Sequence, residues 1–175
     1  PKDLRETEMT FDKEISINGR VISQDTAPYI IAEAGVSHFG SKEKAMALCD
    51  LAKSAGSDSI KFQIFDVDVL ISSISNEWKE RLSPRQMSAE DYAEVKQYCD
   101  KIGITFFATA HDAQSLDKLV DIGVPVLKIG SGERKNLPFM EKMIPINLPM
   151  IISLGMYSPE DVDALVAFLK AKNKT

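Results

Sequence analysis

The chain has 175 residues, 44% hydrophobic and 27% charged, which suits one well-buried globular domain. Its 26 acidic and 21 basic residues give a net charge of −5 without a basic cluster, which argues against a nucleic-acid partner. No apolar run approaches the roughly 20 residues of a membrane span, and the opening PKDLRETEMTFDKE holds no signal-peptide core, so a cytoplasmic, membrane-free protein is expected.

Residues 1–28 read as a polar lead-in ending in a hairpin. ISINGRVIS (Ile15–Ser23) alternates around Asn18-Gly19, a strong short hairpin signal. Such a hairpin would plug the N-terminal end of a barrel or cap a sheet edge. From residue 29 to 175, five apolar runs alternate with amphipathic stretches, as a buried parallel sheet requires. The runs are YIIAEAG (Tyr29–Gly35), SIKFQIF (Ser59–Phe65), ITFFATAHD (Ile104–Asp112), VPVLKIGSGE (Val124–Glu133) and LPMIISLGM (Leu148–Met156).

The helices between them carry their own punctuation. Ser41 caps the first, which presents Ala45, Leu48, Cys49 and Ala52 on one face and ends at Gly56. The connection from Asp66 to Met87 contains Trp78 and alternating charges, and reads either as an active-site lid or as a plain surface loop with a short helix. Ser88 opens the next helix, whose stripe is Tyr92, Val95, Cys99 and Ile102, with Gly103 as its stop. Asp112 caps the third, with Leu116, Leu119 and Val120 inward, and Asn136 is expected to cap a short fourth. Ser158-Pro159-Glu160-Asp161 starts the fifth with a cap, a first-turn proline and two early acids; its stripe is Val162, Leu165, Val166 and Leu169. Cys49 and Cys99 fall on apolar helix faces and read as buried, reduced thiols rather than a disulfide or metal pair.

Five strand–helix units suit either an open doubly wound sheet or part of a (β/α)8 TIM barrel, whose eight units take roughly 250 residues. Two lysines inside the strand runs favour the barrel, which accepts charge near the C-terminal mouth of its interior. Lys61 and Gln63 share one parity while Ile60, Phe62 and Ile64 share the other; Lys128 and Gly130 likewise oppose Leu127 and Ile129. A buried ammonium demands a partner or a shifted pKa. Two converging lysines therefore suggest an anionic ligand, with ion pairs to Glu33 and Glu133 as the rival reading. Thr109, Ser131 and Ser153 stand at the same level, beside backbone N–H groups around Gly130, Gly132 and Gly155, and could hold phosphate or carboxylate oxygens. Glu33 is the charged residue of an apolar run and a candidate acid/base. His38 and His111, the two histidines, follow strand ends without metal-motif spacing; substrate-facing, supporting or simply exposed roles remain open.

IAEAGVSHFG, IKFQ, FFATAHD, KIGSGE and ISLGM, in this order and spacing, resemble the N-acetylneuraminate (sialic acid) synthase family. The resemblance runs from about Ile15 nearly to the end of the chain. It implies a (β/α)8 barrel, of which this chain holds about five units, and condensation of phosphoenolpyruvate with an N-acyl sugar to give a nonulosonic acid. It makes Lys61, Thr109, Lys128, Ser131 and Ser153 ligands of phosphoenolpyruvate, with Glu33, Gln63 and Glu133 facing the sugar or the reacting carbon. It also implies a divalent metal (Mn or Mg) whose histidine ligands lie beyond residue 175, so no metal ligand is expected here, and a homodimer for the complete protein. The family's acceptor is N-acetylmannosamine or a related sugar; Ser37, Phe39, Ala110-His111 and Leu154 depart from the family pattern beside the sugar half, which leaves room for another nonulosonic-acid precursor. Two rivals stand: a Schiff-base aldolase on the same barrel, with Lys61 or Lys128 as nucleophile, and a non-catalytic half-barrel binding module.

Overall fold

The computed structural model describes residues 11–172; the first ten residues of the expected lead-in lie outside them. The hairpin forms where its turn signal stands, from β1 (Ile15–Ile17) and β2 (Arg20–Ile22). Asn18 and Gly19 both take positive φ, 50° and 82°, the paired left-handed geometry of a two-residue turn that matches strand twist. Five strand–helix units follow. They are β3 (Ile31–Gly35) and α1 (Lys42–Ser54), then β4 (Ser59–Ile64) with α2 (Val67–Leu70), α3 (Asn76–Leu82) and α4 (Ala89–Ile102). Next come β5 (Thr105–Ala110) and α5 (Ala113–Asp121), β6 (Leu127–Ile129) and α6 (Leu137–Met143), and β7 (Met150–Ile152) with α7 (Pro159–Ala171).

The sheet order is β3-β4-β5-β6-β7, and every neighbouring pair is parallel. Strictly sequential order distinguishes a barrel-type wall from an open doubly wound sheet, whose order reverses at a switch point. The fold is thus α/β of the TIM-barrel type, with five β/α units. The last two strands are shorter than their apolar runs. Pro125 and Pro149 precede them and supply no N–H to the ladder, and the run after β6 tightens into a 3-10 turn at Ser131–Glu133.

Helix starts follow the chemistry of their caps. Ser41, Ser88, Asp112 and Ser158 each accept a backbone N–H of the first turn, and Ser158 with Asp161 completes a reciprocal capping box. Gly103 ends α4 in the left-handed conformation, φ 73°. Val120 is 37% exposed rather than inward, because it sits about 100° round the helix from Leu119, which α5 buries together with Leu116. In α7 only Leu165 and Leu169 of the expected stripe are fully buried. The Asp66–Met87 connection is mostly helical, holding α2, α3 and a 3-10 turn at Ser83–Arg85.

The core lies between the sheet and its helix layer. Phe62 stacks on Phe106 at 5.6 Å, and His38 meets the rings of Phe62 and Tyr92. Cys49 of α1 and Cys99 of α4 are buried free thiols with their sulfurs 3.3 Å apart. The hairpin occupies the N-terminal ends of the strands. Ile17 is buried in the same core, Asn18 donates to Thr105 Oγ1 at the start of β5, and Arg20 pairs with Asp58 just before β4. Asp58 also accepts the Ile30 N–H at 2.7 Å. The opposite, C-terminal ends of the strands carry the charged cluster. No helix among the described residues is long and apolar enough to cross a membrane.

Candidate functional site

The parallel register brings the strand lysines together. Glu33 stands beside Lys61, Gln63 beside Thr109, and Thr109 beside Lys128 on successive strands. Lys61 is buried; its Nζ lies 2.5 Å from Glu33 Oε2 and donates to Thr109 Oγ1 at 3.3 Å. Lys128 donates to Ser153 Oγ and to the Ile129 carbonyl, both at 2.7 Å. The rival reading of two lysine–glutamate pairs is therefore met at Lys61 and not at Lys128, which among the described residues has no carboxylate within ion-pair distance.

That asymmetry has an electrostatic consequence. Burial, then the neighbouring Lys61 charge, pulls the Lys128 ammonium down from 10.5 to about 8, against a smaller opposing pull from Glu33. Glu33 pairs with Lys61, and the Lys128 ammonium is left among the described residues with a hydroxyl and a carbonyl in place of an ionic partner. Burial likewise holds His111 below its usual range, amid the fields of Glu133, Lys61, Asp112 and Lys128. His111 thus belongs to the cluster, and its proximity to Glu133 could not be read from spacing.

The glycines mark close approach. A Cβ on Gly35 would stand 3.5 Å from Glu33 Oε1 and 3.6 Å from Gln63 Nε2, so two of the three candidates for the sugar side flank this residue, whose φ is +54°. A Cβ on Gly130 would meet Thr109, and one on Gly155 would come 4.0 Å from Ser131 Oγ. Thr109 bonds Lys61 and Ser153 bonds Lys128, while Ser131 stands beside Gly155, two residues after Ser153. Glu133 closes the 3-10 turn after β6 and accepts Asn136 Nδ2 at 2.7 Å. Asn136 was expected to cap α6; it occupies the cap position, but its side chain turns back to hold Glu133 and accepts no helix N–H.

Two tyrosines are the groups sequence reasoning missed. Tyr92 reads as one member of an apolar stripe, yet its hydroxyl bonds His38 Nε2 and the Gln63 carbonyl. Tyr157, after β7, buries a hydroxyl with no hydrogen-bond partner among the described residues. No group of three or more His, Cys, Asp or Glu side chains among the described residues could hold a metal ion.

Comparison with known proteins fits this geometry. The chain is 36% identical over 155 residues to N,N'-diacetyllegionaminic acid synthase of Legionella pneumophila, covering 81% of this chain and 44% of that protein. It is 31% identical over 170 residues to N-acetylneuraminate-9-phosphate synthase of Drosophila melanogaster, covering 90% and 45%. The chain thus spans less than half the length of these curated relatives. Among solved structures, an N-acetylneuraminic acid synthetase from Leptospira borgpetersenii, in complex with citrate, superposes with a TM-score of 0.86 at 30% identity over 91% of this chain and 56% of that one. The NeuB family model matches residues 48–175, and the chain belongs to the NeuB family.

Proposed function

We propose that this chain is the phosphoenolpyruvate-binding part of a synthase that joins phosphoenolpyruvate to an N-acyl amino sugar, N-acetylmannosamine or a relative, giving a nonulosonic acid and phosphate. The observation that carries the reading is the Lys61–Thr109–Lys128–Ser153 line, where Lys61 pairs with Glu33 and Lys128, among the described residues, has no carboxylate within ion-pair distance. Phosphoenolpyruvate brings a phosphate and a carboxylate to such a line, so binding neutralises charge that is costly to bury. Membership of the family and the named synthases among its relatives support the same substrate class.

In this reading Lys61 and Lys128 take the two anionic groups, and the hydroxyls of Thr109, Ser131 and Ser153 donate to their remaining oxygens. Gln63 faces the sugar. C3 of phosphoenolpyruvate forms a bond to the aldehyde carbon of the open-chain sugar, whose oxygen takes a proton. Water adds at C2 and loses a proton, and the resulting adduct expels phosphate by C–O cleavage to leave a ketone. Glu33 and Glu133 are the carboxylates placed to move these protons, one held by Lys61 and the other by Asn136. A divalent metal, Mn or Mg, belongs to the chemistry proposed for the complete protein. The described residues do not form a site for one. The complete protein is proposed to be a homodimer, which light scattering checks.

The decisive experiment uses full-length protein with phosphoenolpyruvate labelled by 18O at the bridging position. Sugar-dependent release of labelled phosphate is expected with free or phosphorylated N-acyl hexosamines. Absence of release across that panel overturns the proposal. One observation favours a second reading: the lowered pKa of Lys128 makes its amine available for a Schiff base. Borohydride with pyruvate would then leave a covalent adduct on Lys128, whereas the synthase reading expects none.

A further inference from the structure

Gln63 is held from behind. The Ile64 carbonyl accepts the His111 N–H at 3.1 Å on the β5 side. Carbonyls alternate along a strand, so the Gln63 carbonyl points the other way, toward β3. There the β3–β4 pairing shifts register between Glu33 and Gly35 and ends at Gly35 and Phe62. The Gln63 carbonyl accepts instead from the Tyr92 hydroxyl, at 2.7 Å.

The proton direction of the whole relay follows from its ends. The Gly40 N–H can only donate, and it meets His38 Nδ1 at 3.1 Å, so Nδ1 is the unprotonated nitrogen. Nε2 then carries the hydrogen and donates to the Tyr92 oxygen at 3.3 Å, while the Tyr92 hydrogen is committed to Gln63. His38 is fully buried, and that burial lowers its pKa, in keeping with a neutral ring. The loop end of the relay is fixed in turn. Phe39 and Gly40 both have positive φ, and a Cβ on Gly40 would clash with the Pro84 carbonyl at 2.6 Å. The chain after β3 and helix α4 thus act on one backbone carbonyl, with the Asp66–Met87 connection packed against Gly40 at the far end of the relay.

We propose that Tyr92 and His38 are positioning residues that set Gln63 for the acceptor sugar through the relay Gly40 N–H, His38, Tyr92, Gln63 carbonyl. The proposal rests on the synthase reading, in which Gln63 faces the sugar. Neither ring touches substrate; each acts through the backbone of β4. A shift of Gln63 moves its amide relative to Glu33 across Gly35, while Lys61 keeps Glu33 on β3 and Thr109 on β5, and Lys128 keeps Ser153 just after β7.

The test is a double-mutant cycle in the full-length protein, with Tyr92→Phe and Gln63→Ala separately and together. Tyr92→Phe is expected to raise the KM for the N-acyl sugar about tenfold and to leave the KM for phosphoenolpyruvate within twofold. In the Gln63→Ala background the same change should move the sugar KM less than twofold. An equal effect in both backgrounds, or a parallel loss for both substrates, overturns the proposal. If Tyr92→Phe does not fold, His38 decides. His38→Gln returns a donor toward Tyr92 and is expected within threefold of wild type, whereas His38→Asn keeps the acceptor toward Gly40 but loses that donor and should resemble Tyr92→Phe. Nitrogen-15 spectra of the wild type give an answer independent of turnover: a ring protonated at Nδ1 overturns the relay. Wild-type protein that releases no phosphate with any N-acyl hexosamine defeats the synthase reading and this proposal with it. An active wild type with no Tyr92–Gln63 coupling defeats the relay alone.

Discussion

The two ends of the parallel sheet treat charge in opposite ways. At the N-terminal ends the charges are paired: Arg20 bonds Asp58, and Asp58 also accepts the Ile30 N–H, while Asn18 reaches Thr105. At the C-terminal ends two ammonium groups crowd one carboxylate, and Lys128 is satisfied only by a hydroxyl and a carbonyl. One end holds the fold together. The other stores electrostatic free energy that an anion can release, which is how barrel folds separate stability from chemistry. Substitutions at the two ends should therefore move different observables.

The largest contrast is expected at Lys128. Lys128→Met should lower kcat/KM for phosphoenolpyruvate in the complete protein by about 30- to several-thousand-fold, from the roughly 2–5 kcal/mol attached to a desolvated charge pair. Its melting temperature should stay level or rise. The sign follows from linkage: the folded pKa is depressed from 10.5 to about 8, so the unfolded chain holds that proton more tightly. The charge therefore opposes folding at neutral pH, and the opposition fades as pH climbs from about 8 toward 10.5. A cooperative loss of stability in Lys128→Met would erase the distinction between the two ends. Asp58→Ala is the converse. It strips the Ile30 N–H and Arg20 of their partner and should cost about 1–3 kcal/mol in denaturant unfolding, with kinetic constants within twofold. Impaired turnover at equal stability would show that the hairpin end is not merely structural.

Smaller effects sharpen the electrostatic part. kcat/KM for phosphoenolpyruvate should fall about tenfold per pH unit above about 8, as Lys128 loses its proton, and this limb should vanish in Lys128→Met. A flat profile to pH 9.5 would mean that the charge on Lys128 is not what binds. Ser153→Ala removes one of the two acceptors of Lys128 and should raise the KM for phosphoenolpyruvate about fivefold, the equivalent of about 1 kcal/mol. No change in that KM would detach Ser153 from the site.

Legibility in the sequence tracks how local each feature is. The hairpin follows from two residues, Asn18 and Gly19, and the caps at Ser41, Ser88, Asp112 and Ser158 each need only the next three. Strand parity is equally local, so Lys61 and Lys128 could be assigned to one face before their partners were known. The sequential strand order was harder, because five strand–helix units fit both a barrel wall and a doubly wound sheet. What spacing could not carry was the direction of a side chain's polar tip. Tyr92 satisfies an apolar stripe with its ring while its hydroxyl serves Gln63, and Asn136 occupies a cap position while its amide serves Glu133. The choice between Glu33 and Glu133 as lysine partners likewise depended on register across strands.

The paired thiols of Cys49 and Cys99 give the helix layer a clock. With their sulfurs 3.3 Å apart and no exposed surface on either residue, they meet a soluble alkylating reagent only when α1 and α4 part. The hydrogen bond with Cys49, then burial, keeps the Cys99 thiol protonated well above the ordinary range, which slows any reaction in the closed state further. The rate of labelling at these positions consequently reports how often that seam opens. The opening frequency of one wall can thus be followed without a spectroscopic probe.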